Sequence, residues 1–317
     1  MRVLVLGGTG LTGPFLVRRL DAMGHEVTVF HRGEHREPLP SGVRRILGDL
    51  ADPPGELRRM APHVVLHMWA LTQADAIRFL ELFHGVAGRA IVISSCDVYR
   101  AFGCLQRLES GPPDSGLLSE DAPLRESRYP YRQKKVLEID TAAYDKILVE
   151  QELMAQRELP ITILRYPAVW GPHDPQRRFR GWLRRMQTET EIRIPEDFAA
   201  WRWTHGYVRD VAVAPTLAVL MENSAGRIYN VGESATPTMA ERLGEVGRAA
   251  GWRGRLLPVP AAELPEAERM PHDFAHHVAI DTSRIRGELG YAEIEPPEQA
   301  LAATIDWERA QAAAAQS

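Results

Sequence analysis

Gly7-Gly8-Thr9-Gly10-Leu11-Thr12-Gly13 follows directly on the apolar run Arg2 to Leu6 and opens an amphipathic stretch from Leu11 to Met23. The order is strand, glycine turn, helix. The glycines satisfy a GxGxxG spacing from Gly8 and a GxxGxxG spacing from Gly7. Without side chains the backbone can approach a pyrophosphate, whose charge then faces the positive end of the helix dipole. A glycine string alone marks only a tight turn between a strand and a helix. Here a second strand, Glu26 to His31, follows the helix, and this context turns the pattern into a dinucleotide-binding expectation with Gly7, Gly10, Leu11, Thr12 and Gly13 at the phosphates.

Outward from this loop the chain alternates short apolar runs with helical stretches. Strands are expected at Arg2 to Leu6, Glu26 to His31, Arg44 to Leu47, His63 to His67, Arg89 to Ser94 and Ile161 to Arg165, each continuous in aliphatic or β-branched residues. Helices are expected at Leu11 to Met23, Gln73 to His84 and Tyr144 to Arg157. The pattern is that of an α/β Rossmann-type doubly wound parallel sheet. Leu105 to Tyr131 interrupts it with Gly111-Pro112-Pro113-Asp114-Ser115-Gly116 and reads as a long loop near a site. Beyond Pro167 the alternation lapses, which marks a smaller C-terminal substrate-binding lobe. The expected division is 1–168 with 204–232 for the dinucleotide, and 169–203 with 233–317 for the lobe.

Bulk properties narrow the function classes. The 317 residues carry a net charge of -4, so no global basic surface exists to hold nucleic acid or anionic lipid. The two cysteines, Cys96 and Cys104, form no CxxC pair, which excludes a disulfide scaffold and a Cys-rich zinc site. His272, His276 and His277 offer i,i+4 spacing, but one short tract without a distant ligand leaves the metal expectation at none. No apolar stretch suits a membrane span or a signal h-region, so a cytoplasmic protein is expected. No GxSxG elbow or Ser-His-Asp order points to hydrolysis.

The second strand ends Phe30-His31-Arg32-Gly33, with no carboxylate to grasp a ribose 2′-OH. Arg32 can neutralise a 2′-phosphate, so NADP is expected, with NAD as the alternative; a solvated basic turn with Arg36 is the plain reading. Gly48-Asp49-Leu50 places Asp49 and Leu50 where an adenine can be held, or where an aspartate merely makes a turn.

These segments, together with Ile93-Ser94-Ser95-Cys96-Asp97-Val98-Tyr99, Tyr144 and Arg165-Tyr166-Pro167-Ala168-Val169-Trp170-Gly171-Pro172, resemble the extended short-chain dehydrogenase/reductase superfamily in its NAD-dependent epimerase/dehydratase branch. His205-Gly206-Tyr207-Val208-Arg209-Asp210-Val211-Ala212 and Tyr229-Asn230-Val231-Gly232 extend the resemblance to about Val231. The resemblance implies hydride transfer by a reductase, epimerase or dehydratase on a polar, sugar-like small molecule. It makes Ser95 and Tyr144 catalytic and Asp97 an acid beside them. It also implies a homodimer through the helices at Gln73 and Tyr144.

One departure stands out. The family's lysine, one helical turn after the tyrosine, falls on Leu148, and Lys146 at two residues' distance is expected on another helix face. Tyr131 with Lys135 offers a second YxxxK register, and Arg128, Arg132 or Lys135 could supply the missing charge across the loop. Loss of the lysine also permits a rival function, a non-catalytic NADP(H)-binding sensor or scaffold, possibly RNA-associated. Cys96 reads as a small core residue. Trp201-Arg202-Trp203 and the run from Arg177 to Arg185 can bind an anion, or pack and be solvated; the helical spacing of Phe179, Leu183 and Met186 favours packing in the second.

Overall fold

A computed structural model of the protein describes residues 1–33, 38–132 and 140–314; Arg36 and Lys135 lie outside them. Strands β1 (Arg2–Leu6), β2 (Glu26–His31), β3 (Arg44–Leu47), β4 (Val64–His67), β5 (Arg89–Ser95) and β6 (Ile161–Tyr166) lie within two residues of the expected bounds at each end. They join Ile228–Asn230 in one parallel sheet. In sheet order the strands are Ile228–Asn230, β6, β5, β4, β1, β2, β3. The order reverses between β1 and β4, the point at which open sheets of this kind take ligands at the carboxyl ends of their strands. Val3 of β1 pairs with Val27 on one side and Val64 on the other, and Leu6 with Phe30 and His67.

Both faces of the sheet are covered, so each strand is apolar on both sides. Helix α1 (Gly13–Ala22) buries Leu16, Val17 and Leu20 with Val3, Val5 and Val29. On the other face α2 (Gln73–Phe83) and α3 (Lys146–Ala155) bury Phe79, Phe83, Val149 and Leu153 with Leu4 and Leu6. The alternation Val3/Val5 against Leu4/Leu6 is the period-2 geometry of a strand. Thr72 starts α2 with a reciprocal capping box: its hydroxyl accepts from Asp75 N at 3.1 Å and the Asp75 carboxylate accepts from Thr72 N at 2.9 Å.

After β6 the chain leaves the main sheet. Ala168–Trp170 pairs in parallel with His205–Tyr207, and Glu191–Pro195 with Arg255–Val259. Helix α4 (Arg180–Thr188) buries Leu183 and Met186, the packing its spacing implied, and α5 (Glu196–Ala200) leads into Trp201. Among the described residues no helix is long and apolar enough to cross a membrane.

Candidate active site

The glycine loop has the geometry of a phosphate cradle. Gly7 turns at φ +81°, a conformation side chains rarely adopt, and a Cβ on Gly13 would stand 2.5 Å from the Gly8 backbone, so α1 can pack this closely only with glycine there. A Cβ on Gly10 would meet nothing within 4 Å: the loop is open on the side a ligand would approach. No acidic residue occupies the first turn of α1, which leaves its positive end unopposed. Leu11 and Thr12 sit at this entrance, Thr12 buried as the N-cap. These residues fit a dinucleotide.

Around the loop the sequence-derived candidates are less uniform. Arg32 is exposed just beyond β2, and the Gly33 N–H donates to His31 Nδ1 at 3.1 Å. Asp49 uses one carboxylate oxygen to accept from Ala51 N at 2.8 Å, an aspartate turn, while Leu50 packs partly buried against the core.

At the carboxyl end of β5, Ser95 begins a tight turn in which its hydroxyl accepts from Asp97 N at 3.2 Å. Asp97 is buried, and its Oδ2 accepts from the Tyr144 hydroxyl at 2.7 Å and from the Tyr131 hydroxyl at 3.3 Å. Both tyrosines weighed from the sequence therefore converge on one carboxylate, their rings 5.1 Å apart. Ser95 lies against the Tyr144 hydroxyl as well. Asp97 Oδ1 is buried with no hydrogen-bond partner among the described residues. Burial raises the Asp97 carboxyl, and Arg125, the Tyr144 hydroxyl and Lys146 oppose that rise. Burial and the Asp97 charge push the Tyr144 and Tyr131 phenols well above the usual 10.

The expectation for the lysine is corrected. Tyr144 is not on the helix. Asp145 is extended and caps it, its carboxylate accepting from Ile147 N at 3.0 Å and Tyr129 N at 2.7 Å, so α3 starts at Lys146. Lys146 would fall on another face only if one continuous helix ran through Tyr144, and it does not. Lys146 is buried with Nζ 6.0 Å from the Tyr144 ring centroid, donating to Ala70 O at 2.6 Å and Ile93 O at 2.9 Å. Two of its three hydrogens are thus committed. Burial lowers its pKa to about 8, against the pull of Asp97, Asp75 and Glu150. Leu148 is partly buried and carries no charge; the site's cation stands two residues earlier.

Neither Arg128 nor Arg132 fills this role. Arg128 donates to the Arg125 and Glu126 carbonyls, and Arg132 lies 3.9 Å over the Tyr129 ring and donates to Ala142 O. The loop's contribution is Arg125, fully buried, which donates from Nε to Asp97 O and lies 3.4 Å from Asp145. No pattern in the sequence singled out Arg125. Lys146 was open to discovery, since an aspartate directly before Lys-Ile-Leu-Val is a helix-start signature.

Cys96 is buried in the core and burial pushes its thiol up to about 12, the state of an unreactive sulfur. His277 Nδ1 accepts from Arg202 N at 3.2 Å, and no group of three metal-binding side chains occurs among the described residues.

A parallel sheet with a glycine cradle at its reversal point, and a serine, tyrosine and buried lysine at the adjoining strand ends, define a nicotinamide-dinucleotide enzyme fold. The family model "NAD dependent epimerase/dehydratase family" matches residues 3–232, and the chain belongs to that family. It is 32% identical over 191 residues to 2-alkyl-3-oxoalkanoate reductase of Stenotrophomonas maltophilia (strain K279a), a match covering 56% of this chain and 53% of that one, so the chain spans about half the length of this relative. It is 28% identical to 3-diazoavenalumate denitrifying reductase of Streptomyces sp, over 93% of this chain and 97% of that one. Among solved structures it is similar to the UDP-glucose 4-epimerase of Thermus thermophilus in complex with NAD, at TM-score 0.69 and 25% identity, covering 98% and 99% of the two chains. A non-catalytic sensor or scaffold finds no support in these relatives.

Proposed function

We propose that the chain is a carbonyl reductase in which Tyr144 donates the proton, Ser95 and Asp97 position its hydroxyl, and Lys146 supplies the neighbouring positive charge. One observation carries this reading: the Tyr144 hydroxyl lies 2.7 Å from a buried carboxylate at the end of β5, beside a buried ammonium group. A reduced nicotinamide dinucleotide, with its phosphates at the glycine loop, would supply hydride for a carbonyl carbon when bound. The chain's own contribution is the proton. A phenol kept protonated by burial and by Asp97 is a competent donor at neutral pH: its hydroxyl gives up the hydrogen bond to Asp97, the O–H bond breaks as the carbonyl oxygen takes the proton, and the ring keeps its oxygen as a phenolate. Lys146 stabilises the phenolate left behind, and its third hydrogen is available for a ribose hydroxyl. The reductase names of two relatives point the same way.

The finer assignments follow from the same placement. Exposed Arg32, which follows a second strand ending in His31 rather than in a carboxylate, favours NADP over NAD. Residues 1–168 with 204–232 hold the cofactor, and 169–203 with 233–317 hold a polar small molecule against the strand ends. A homodimer forms on α2 and α3, whose outer faces leave Ile77 40% and Met154 37% exposed. Light scattering checks the dimer: a mass of one chain at all micromolar concentrations contradicts it. The central test follows NADPH absorbance over a panel of ketones and aldehydes. Turnover by the wild type that disappears in Tyr144→Phe, with NADPH binding retained, supports the assignment; an unaltered rate in Tyr144→Phe refutes it.

A further inference from the structure

Among the elements that follow β6 lies a cavity of about 200 Å³ walled largely by rings. Trp182 on α4 stacks on Phe198 of α5 at 5.8 Å and 9°. Phe198 leads to Trp201 at 6.4 Å, Trp201 to Trp203 at 5.3 Å, and Trp203 to His205 at 5.4 Å. All five line the cavity, with Arg178. Two of these, Trp203 and Arg178, lie near the Cys96 side chain, next in sequence to Asp97. The cavity is therefore close to the turn that follows β5.

The lining says what it can take. A hole of about 150 Å³ already admits benzene, so this one has room for a single substituted ring. Rings in tilted and stacked arrays receive another ring through offset or edge contacts. A diphosphate needs free cations, and the one cation among the lining residues already pairs with a carboxylate through Nη1, while its Nε is buried with no hydrogen-bond partner among the described residues. Arg178 Nη1 lies 3.0 Å from each Asp174 oxygen and 2.7 Å from Val169 O. His205 is neutral, held well below its ordinary value by burial and by Arg242. Its Nδ1 is 2.7 Å from Trp203 O, a carbonyl that can only accept, so the hydrogen is on Nδ1 and Nε2 is a bare acceptor. The Trp201 indole N–H is satisfied by His276 O at 2.8 Å, whereas the buried Trp203 N–H has no hydrogen-bond partner among the described residues.

We propose that this cavity is a subsite for an aromatic ring bearing a hydrogen-bond donor, such as a phenol, carried by a substrate whose carbonyl reaches Tyr144. The proposal rests on the reductase reading for the reacting end and adds the class of substrate. His205 Nε2 accepts a hydrogen bond from the phenolic hydroxyl, and Trp182, at the half-buried rim, packs on the ring.

Calorimetry with 4-hydroxycinnamate, 4-methoxycinnamate and uridine 5′-diphosphate, each titrated into the NADPH-loaded and the cofactor-free protein, tests this. The expected result is binding of the hydroxy acid at least tenfold tighter than of uridine diphosphate. Trp182→Ala should weaken it at least tenfold with the NADPH affinity unchanged, and His205→Phe should abolish the preference for hydroxy over methoxy. Met270→Trp, which fills the cavity from a partly exposed position, is a second variant that should block the ring. Uridine diphosphate binding more tightly, no binding of either acid, or full affinity in both Trp182→Ala and Met270→Trp overturns the subsite. Protein that binds NADPH but no ring loses the subsite and keeps the reductase reading. Protein that binds the ring but no NADPH does the reverse.

Discussion

Lys146 and Glu150 stand one turn apart on the buried face of α3, and their surroundings are opposite in kind. Glu150 is closed off: Arg165 donates to it at 2.7 and 3.0 Å and Ser94 at 2.5 Å, and Arg165 passes on to Tyr99 at 3.0 Å, which donates to Asn230 at 2.6 Å. Every charge there meets its counter-charge, and the network ties α3 to β5, β6 and the far edge strand. Lys146 meets only carbonyls, keeps one hydrogen uncommitted, and faces Asp97 past a phenol. A saturated buried pair holds structure. An unsaturated buried charge has its pKa displaced and is available for chemistry.

The comparison breaks most sharply at the phenol. Tyr144→Phe removes the proton donor from the unsaturated cluster and should lower the reduction rate by up to about 10⁴-fold, with the melting temperature nearly unchanged. Steady-state rates beside thermal melts check this. Loss of fold instead would place Tyr144 with the structural network. Glu150→Ala should do the opposite, stranding the buried Arg165 at a cost of about 3–5 kcal/mol in stability. Denaturant unfolding measures it, and a change below about 1 kcal/mol would mean the network is ornamental.

Acidity sharpens the same contrast. Lys146, with a folded pKa of about 8 against an ordinary 10.5, binds fewer protons folded than unfolded between those values. Stability from this group therefore rises as pH climbs from about 8 to 10.5, and Lys146→Met should abolish that rise. Carbonyl reduction should instead decline as pH passes about 8, where the charge that steadies the phenolate disappears. Lys146→Arg should move the decline to higher pH; a profile identical in wild type and Lys146→Arg would detach the lysine from the reaction. At the solvent end of the scale, Arg32→Ala should cost NADPH about 1–2 kcal/mol relative to NADH and leave stability within about 0.5 kcal/mol. Paired affinity titrations read this, and an unchanged ratio would make Arg32 ordinary surface charge.

Pattern in the chain specified the strands, the glycine cradle, the neighbourhood of Ser95 and Asp97, and the packing of Phe179, Leu183 and Met186. All of these depend on short-range periodicity or on residues adjacent in sequence, and the sheet then needs only to bring parallel strand ends to one edge. Three features depended on tertiary structure, although the cap before Lys146 also had a local signal in Asp145. Tyr131 and Tyr144 share one carboxylate because a loop folds back over α3. Lys146 reaches the site because Asp145, held by Tyr129, Leu71 and Arg125, ends the extended backbone one residue after Tyr144. The ring-lined cavity draws on α4, α5 and the segment from Trp201 to His205, whose side chains meet only when separate elements pack. Periodicity reports which face of an element is buried. It cannot report where a helix begins when distant groups hold its cap, nor which buried faces confront one another.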